Sequence, residues 1–389
     1  MNRRAHRGFT LIEIMIAVGI LAAVMAGISG LLIQQSLQSV KNETQRSLED
    51  NGRLAMLDIM GAVRFAGYGI SPLAAFDFDR YACTTPGTPN SCNGGGRDRA
   101  DAPDEIVMSW RDLLFARDVN GITGSGPWTV TLDRALTQPL LSGRIMQMIC
   151  RSDASQAAYL KLNADAAIGA TTLTLAIVQT SDGYYPAVGP TDACFSLGAT
   201  SKPGLFLIER RRYYIANDTT GMPSLFRERG RGGAELVQRG IEDLQLSYTI
   251  SSPPTLTPAS PNAGVTPPVS CAGVTGWVFG ECVGTAGQPS HTATPTPTPD
   301  LPYDSIERYS GHPLNIRTVT VTVVARGTQN SPDGIGDSLP AIGNRAARAA
   351  GLYKRGIFSV SEQVPNTLQK VNFLPVIGST GTGYNVGGG

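Results

Sequence analysis

The chain has 389 residues, 41% hydrophobic and 16% charged, enough for one sizeable buried core with room for a second module. Its formal charge of +1, from 32 basic and 31 acidic residues, provides no polycationic surface, so composition makes no case for nucleic-acid binding. The 45 glycines and 26 prolines suit turn-rich β structure with loop insertions better than a helical bundle.

Residues 1–8, MNRRAHRG, form a short basic leader. Residues 9–33, FTLIEIMIAVGILAAVMAGISGLLI, follow with a single charge, Glu13. As a helix these 25 residues span about 37 Å, against roughly 30 Å of bilayer hydrocarbon. Arg3, Arg4 and Arg7 precede the span and no basic residue follows it directly, which predicts a cytoplasmic N-terminus and a translocated C-terminal region. A conventional secretory signal places its cleavage site after the apolar core. Here the notable junction, Gly8–Phe9, lies before it. Cleavage there removes three arginines, takes the charge from +1 to −2 and leaves the anchor in place.

A carboxylate in hydrocarbon is costly without a partner, so Glu13 is either tolerated near the interface or kept for a contact. Leu37, Val40, Leu48, Leu54, Leu57 and Met60 carry an interrupted apolar stripe through residues 34–66. One straight helix from residue 9 to about 65 is therefore predicted, near 85 Å long. Its outer half should pack on a head, and Gly19, Gly27 and Gly30 permit close packing or bending in the inner half.

After a break at residues 67–69 the pattern turns to strands, predicted at 104–111, 128–132, 145–150, 171–179, 204–215, 225–228, 244–250 and 316–325. Thr318, Thr320 and Thr322 alternate with Val319, Val321 and Val323, the simplest half-buried strand in the chain. The predicted fold is α+β: a long N-terminal membrane helix packed against an antiparallel β-sheet head over residues 67–389. Residues 83–103 and 252–302 read as insertions, the second ending in the run TPTPTP at 294–299.

Six cysteines, Cys83, Cys92, Cys150, Cys194, Cys271 and Cys282, all follow the apolar span, on the side where disulfides persist. Short loops favour Cys83–Cys92 and Cys271–Cys282, leaving Cys150–Cys194, although six cysteines admit many pairings. Their spacing matches no common zinc pattern. Asp98, Asp101, Asp104 and Glu105, and Asp333 with Asp337, are acidic clusters without the calcium-loop spacing. Arg210, Arg211 and Arg212 before Tyr213 and Tyr214 could bind single strands, but strand alternation divides the arginines between two faces. No P-loop, serine elbow or HExxH motif marks an enzyme.

The run GFTLIEIMIAVGIL at residues 8–21, behind its basic leader, resembles the prepilin class III signal of type IV pilins and type II secretion pseudopilins. The resemblance implies cleavage after Gly8 and methylation of the new Phe9 amine by prepilin peptidase. It also implies that Glu13 pairs with the terminal amine of a neighbouring subunit. Residues 236–248 (LVQRGIEDLQLSY), 316–327 (IRTVTVTVVARG) and 354–359 (KRGIFS) are similar to segments of PilW-type minor pilins. The terminus departs from that pattern, running on as VNFLPVIGSTGTGYNVGGG after Lys370.

A PilW-type minor pilin implies a role in type IV pilus initiation, assembly or tip-complex formation, without a cofactor. Its implied partners are other minor pilins, the major pilin, prepilin peptidase, the inner-membrane assembly machinery and a large tip adhesin, with no nucleic acid. Its implied location is the inner membrane with a periplasmic head, then the pilus or its tip. A minor pseudopilin of a type II secretion system is the alternative, and an anchored enzyme or carbohydrate-binding module is a more distant class.

Overall fold

The computed structural model describes residues 10–71, 74–76, 102–150, 157–178, 190, 195, 202–230, 233–250, 277–278, 316–331, 334–343 and 345–368. Helix α1, Leu11–Phe65, runs for 55 residues without interruption, through Gly19, Gly27 and Gly30. It stops where Gly67 and Gly69 take φ values of +78° and +67°, a left-handed backbone that glycine adopts without steric cost. The helix divides sharply. Residues 11–43 are exposed along their whole length, whereas Leu48, Gly52, Ala55, Met56, Ile59, Met60, Ala62 and Val63 are buried.

The strands are β1 (Ile106–Thr123), β2 (Trp128–Leu132), β3 (Ile145–Ile149), β4 (Ala157–Leu162), β5 (Thr172–Ile177) and β6 (Gly204–Asn217). They continue with β7 (Pro223–Arg229), β8 (Ala234–Arg239), β9 (Ile241–Ile250), β10 (Trp277–Val278), β11 (Ile316–Asn330) and β12 (Tyr353–Gln363), before the short helix α2 (Pro365–Leu368). They form an eight-stranded sheet ordered β1-β2-β5-β4-β3-β6-β7-β8 and a four-stranded sheet ordered β10-β9-β11-β12. All pairings are antiparallel.

Because β1 also pairs with β6, the first six strands close into a barrel. Alternate residues fill it: Val119, Trp128, Val130, Leu132, Met146, Met148, Leu160, Leu162, Leu173, Leu175, Leu205 and Leu207 form one buried cluster. β1 and β6 are long enough to leave the barrel. Ile106–Arg111 pairs with Tyr213–Ile208 beyond it, and a register shift between Arg111 and Ala116 marks the turn from one core to the other. Arg111 secures that turn. Its guanidinium donates to the Gly69 carbonyl and to Gln147 Oε1 (2.9 and 3.1 Å), and lies 4.4 Å over the Phe206 ring.

The second core lies between α1 and the four-stranded sheet. Val319, Val321, Val323 and Ala325 of β11 face the helix, with Leu244 and Leu246 of β9 beside them. Sequence periodicity placed Leu54 and Leu57 on the packed stripe, yet they are 54% and 60% exposed. The packed face is built instead on small residues. Gly52 takes the Phe358 ring of β12 so closely that a Cβ there would overlap the ring, and Ala55 and Ala62 are fully buried. Polar groups at the helix margins fix its rotation. Asn51 accepts from Gln238 at 2.7 Å, Asp58 from Arg227 at 2.8 Å, and the Asp58 carbonyl from the Tyr213 hydroxyl at 3.3 Å. Asn366 of α2 donates to the Arg64 and Ala66 carbonyls at 3.1 Å, closing the C-terminal end.

Two glycines of α1 should respond in opposite ways when the detergent-solubilised full chain is unfolded. Gly52→Ala meets the Phe358 ring and should cost about 1–3 kcal/mol. Gly61→Ala meets nothing within 4 Å and should gain up to about 1 kcal/mol from helix propensity. Equal effects from the two would contradict the packing.

Burial, reinforced by the Asp58 carboxylate, pushes the Tyr213 hydroxyl from 10.0 up to about 12. A folded-state value above the unfolded one means a stabilising contribution complete below pH 10 and lost as the pH rises through about 12. The loss should be on the order of 2 kcal/mol across that window. Tyr213→Phe should lack this alkaline limb when unfolding is followed against pH.

Candidate functional site: the helix N-terminus and the charged positions of the head

The N-terminal end of α1 is built by a short local motif. Thr10 has an extended backbone (φ −79°, ψ 149°) and caps the helix. Its hydroxyl oxygen accepts from the Glu13 N–H at 3.4 Å, while Glu13 Oε2 accepts from the Thr10 N–H at 2.9 Å and the Thr10 hydroxyl at 3.0 Å. This reciprocal capping box satisfies two backbone donors that a helix start leaves open. The Thr-x-x-Glu spacing of residues 10–13 is the sequence signal for it, beside the inter-subunit pairing expected of Glu13.

Within one chain Glu13 is therefore already partnered through Oε2. Its Oε1 accepts no bond among the described residues, so the carboxylate retains acceptor capacity toward a second group. Gly8 and Phe9, the predicted processing residues, lie outside the described residues. Around Glu13, Leu11, Ile12, Ile14, Met15 and Ile16 are 55–78% exposed, and the most apolar 18-residue window of α1 has no buried share. Gly19, Gly27 and Gly30 each have open space within 4 Å, where another backbone can approach. This is one N-terminal apolar helix long enough to cross a membrane, consistent with a single-pass anchor.

The charged candidates of the head are engaged internally. Arg212 is buried between Glu105, at 2.8 and 2.9 Å, and Glu228 at 3.3 Å, with its guanidinium 4.4 Å over the Tyr214 ring. Arg211 lies 4.8 Å over Trp110 and bonds Glu209 at 3.4 Å. Tyr213 is fully buried, and Tyr214 stacks on Phe226. Basic and aromatic side chains here form packing and ion pairs within the head. Asp104 is buried and accepts from the Leu246 N–H at 2.8 Å, while Asp337 accepts from the Arg355 N–H at 2.9 Å. Asp98, Asp101 and Asp333 lie outside the described residues. Among the described residues no group of three or more His, Cys, Asp or Glu is arranged to hold a metal ion.

An ionic cluster went unread in the sequence. Alternation in β9 turns Asp243 away from the core shared with α1, yet its side chain is only 1% exposed. The segment between β11 and β12 folds over it, bringing Arg345 and Arg348 to 2.6 and 2.7 Å from Asp243 Oδ2. Glu242 receives Arg348 at 2.9 Å and Arg355 at 2.8 Å. The arginines of residues 345–355 were the available signal. Of the cysteines, Cys150 is fully buried just after β3. Cys83, Cys92, Cys194, Cys271 and Cys282 lie outside the described residues, as do the expected pairings.

A family model described as the prokaryotic N-terminal methylation motif matches residues 3–29. No curated protein matches the chain. No solved structure matches it either. The chain thus carries, on a long helix packed against antiparallel sheet, the N-terminal methylation motif of prepilins and pseudopilins, consistent with the broader type IV pilin-like superfamily.

Proposed function

We propose that this chain is a PilW-type minor pilin that takes part in type IV pilus initiation, assembly or tip-complex formation. The observation that carries the finer reading is spatial. Three segments far apart in sequence, 236–248, 316–327 and 354–359, resemble PilW-type pilins, and their strands β9, β11 and β12 lie side by side under α1. A shared framework of that kind supports a family relation better than three separate short matches. The motif at residues 3–29 supports processing between Gly8 and Phe9, with methylation of the new amine. Other minor pilins, the major pilin and the inner-membrane assembly machinery are the partners this reading requires, with a large tip adhesin as cargo.

In this reading Glu13 has two successive duties. It caps its own helix through Thr10, and on assembly its carboxylate receives the positively charged terminal amine of a neighbouring subunit. The apolar surroundings strengthen that attraction and penalise either charge left alone. A minor pseudopilin of a type II secretion system would use the same physics, and the identity of crosslinked neighbours separates the two.

Substitutions at Glu13 distinguish charge from capping. Glutamine retains the capping-box geometry, since Glu and Gln both serve at that position. Glu13→Gln should leave leader removal, membrane insertion and head folding intact. It should lower crosslinking to partner pilins about tenfold or more, because the neighbouring amine then enters apolar surroundings without a counter-charge. Glu13→Ala should also remove the side-chain half of the capping box, seen as added fraying of the first helical turn, while the Thr10 hydroxyl still accepts from the residue-13 N–H. Mature abundance is measured in parallel. Normal crosslinking and filament initiation in both variants would refute the role.

A further inference from the structure

β12 advances beside α1 in step with it. A Cβ on Gly327 would stand 3.3 Å from Thr44 and 3.7 Å from the Lys354 carbonyl oxygen, so Lys354 is level with Thr44. Further along, Gly356 lies beside Leu48 and Phe358 against Gly52. Two strand residues rise about 6.6 Å and four helical residues about 6 Å, so strand and helix axis run nearly aligned. Continued toward the apolar half of α1, the same correspondence sets Leu352 level with about Val40. The turn after β11 closes this end of the head. Ser331 donates to the Leu352 carbonyl at 2.8 Å, Gly336 to the Gly351 carbonyl at 2.9 Å and Asp337 to the Tyr353 carbonyl at 3.0 Å. Ile335 therefore stands one step beyond Leu352, level with about Leu37.

Those levels meet the edge of a bilayer. The apolar run ends at Ile33, and the helix gains about 6 Å from there to Leu37 and about 10 Å to Val40. The interfacial layer outside the hydrocarbon is itself about 5–8 Å deep. The 25-residue run also exceeds the roughly 30 Å of hydrocarbon by about 7 Å. Tilt absorbs such a surplus, and tilt toward the β12 side lowers this end of the head. Ile335 thus reaches the headgroup layer, and Leu352 its outer margin.

The side chains at this end suit such a surface. Ile335 is 65% exposed and Leu352 53%, with Leu37 and Val40 of α1 exposed at the same levels. An exposed aliphatic side chain alone means little, and Leu114 and Ile168 on the barrel side are as bare. Level is what separates the two groups, because the barrel adjoins the opposite end of α1 through Arg111 and Gly69. Residues 328–331, 334–336 and 351–353 carry no charge, and the sequence adds one acid among them, Asp333, so the matching surface is zwitterionic rather than anionic. We propose that this end of the head rests on the leaflet from which α1 emerges, with Ile335 and Leu352 entering its phospholipid headgroup layer. The inference rests on α1 being a membrane anchor and not on the pilus subtype.

The test uses the full-length chain, one copy per phosphatidylcholine nanodisc, with a photoreactive residue at position 24, 335, 352 or 357. Position 24 reports the anchor. Position 357 is the control, 41% exposed on β12 and about 20 Å further from the membrane than Ile335. Lipid adducts weighed by mass spectrometry should form at 335 and 352 at least tenfold above those at 357, and should not increase when phosphatidylglycerol is added. Leu352→Asp should cut the adduct at 335 at least threefold, while the unfolding transition stays near that of the parent chain. Adducts at 24 with no excess at 335 over 357, adducts indifferent to Leu352→Asp, or a yield that rises with anionic lipid would overturn the proposal. So would products joining position 335 to a second copy or to another protein, in place of lipid, in membranes of producing cells. Absence of adducts at 24 would overturn the anchor reading, and this inference with it.

Discussion

The contact between the C-terminal half of α1 and the sheet of β9, β11 and β12 is the constraint on which the rest of the molecule depends. One continuous helix has to be apolar on every side over its first part and on one side only over its second. The chain achieves the second condition with small residues. Gly52, Ala55 and Ala62 let the sheet approach, so the valines of β11 and the ring of Phe358 reach the helix axis closely. Ion pairs at Asp58 and Arg64 and a side-chain hydrogen bond at Asn51 add rotational definition around that contact. The exposed Arg64–Glu362 pair contributes little energy by itself, whereas the burial beneath it carries the association.

A second core hangs from the first through two shared strands. β1 and β6 serve the helix-packed core at one end and the closed barrel at the other, so the barrel is joined through two shared strands that pair on both sides of the irregularity between Arg111 and Ala116. Arg111 reinforces the join by linking the loop after α1 to the barrel wall. Force or orientation imposed on the helix is thereby passed to the barrel through paired strands.

Much of the helix and part of the sheet were legible in the sequence for physical reasons. The end of α1 at Phe65 follows from glycines at 67 and 69, alternation gave the valine face of β11, and β2 falls on its predicted residues. β4, with its two alanines, β8, and the charged second half of β1 lack a strong period-two signal, and they were missed. Barrel closure was invisible because it depends on β1 meeting β6 across some ninety residues, and no local pattern encodes that contact. The burial of Asp243 was not legible because alternation describes one layer and cannot foresee a segment folded over the outer face. At the N-terminus the motif was read correctly as a motif, while the Thr10–Glu13 cap within it was not.

The account as a whole requires that the apolar helix persist in the mature protein with its basic leader gone. Mass spectrometry of the intact chain purified from membranes measures this directly. The account predicts a polypeptide beginning at Phe9 and carrying one added N-terminal methyl group, with residues 11–65 retained. A chain that still begins at Met1, or one cut after the apolar segment so that the head is released, would contradict it.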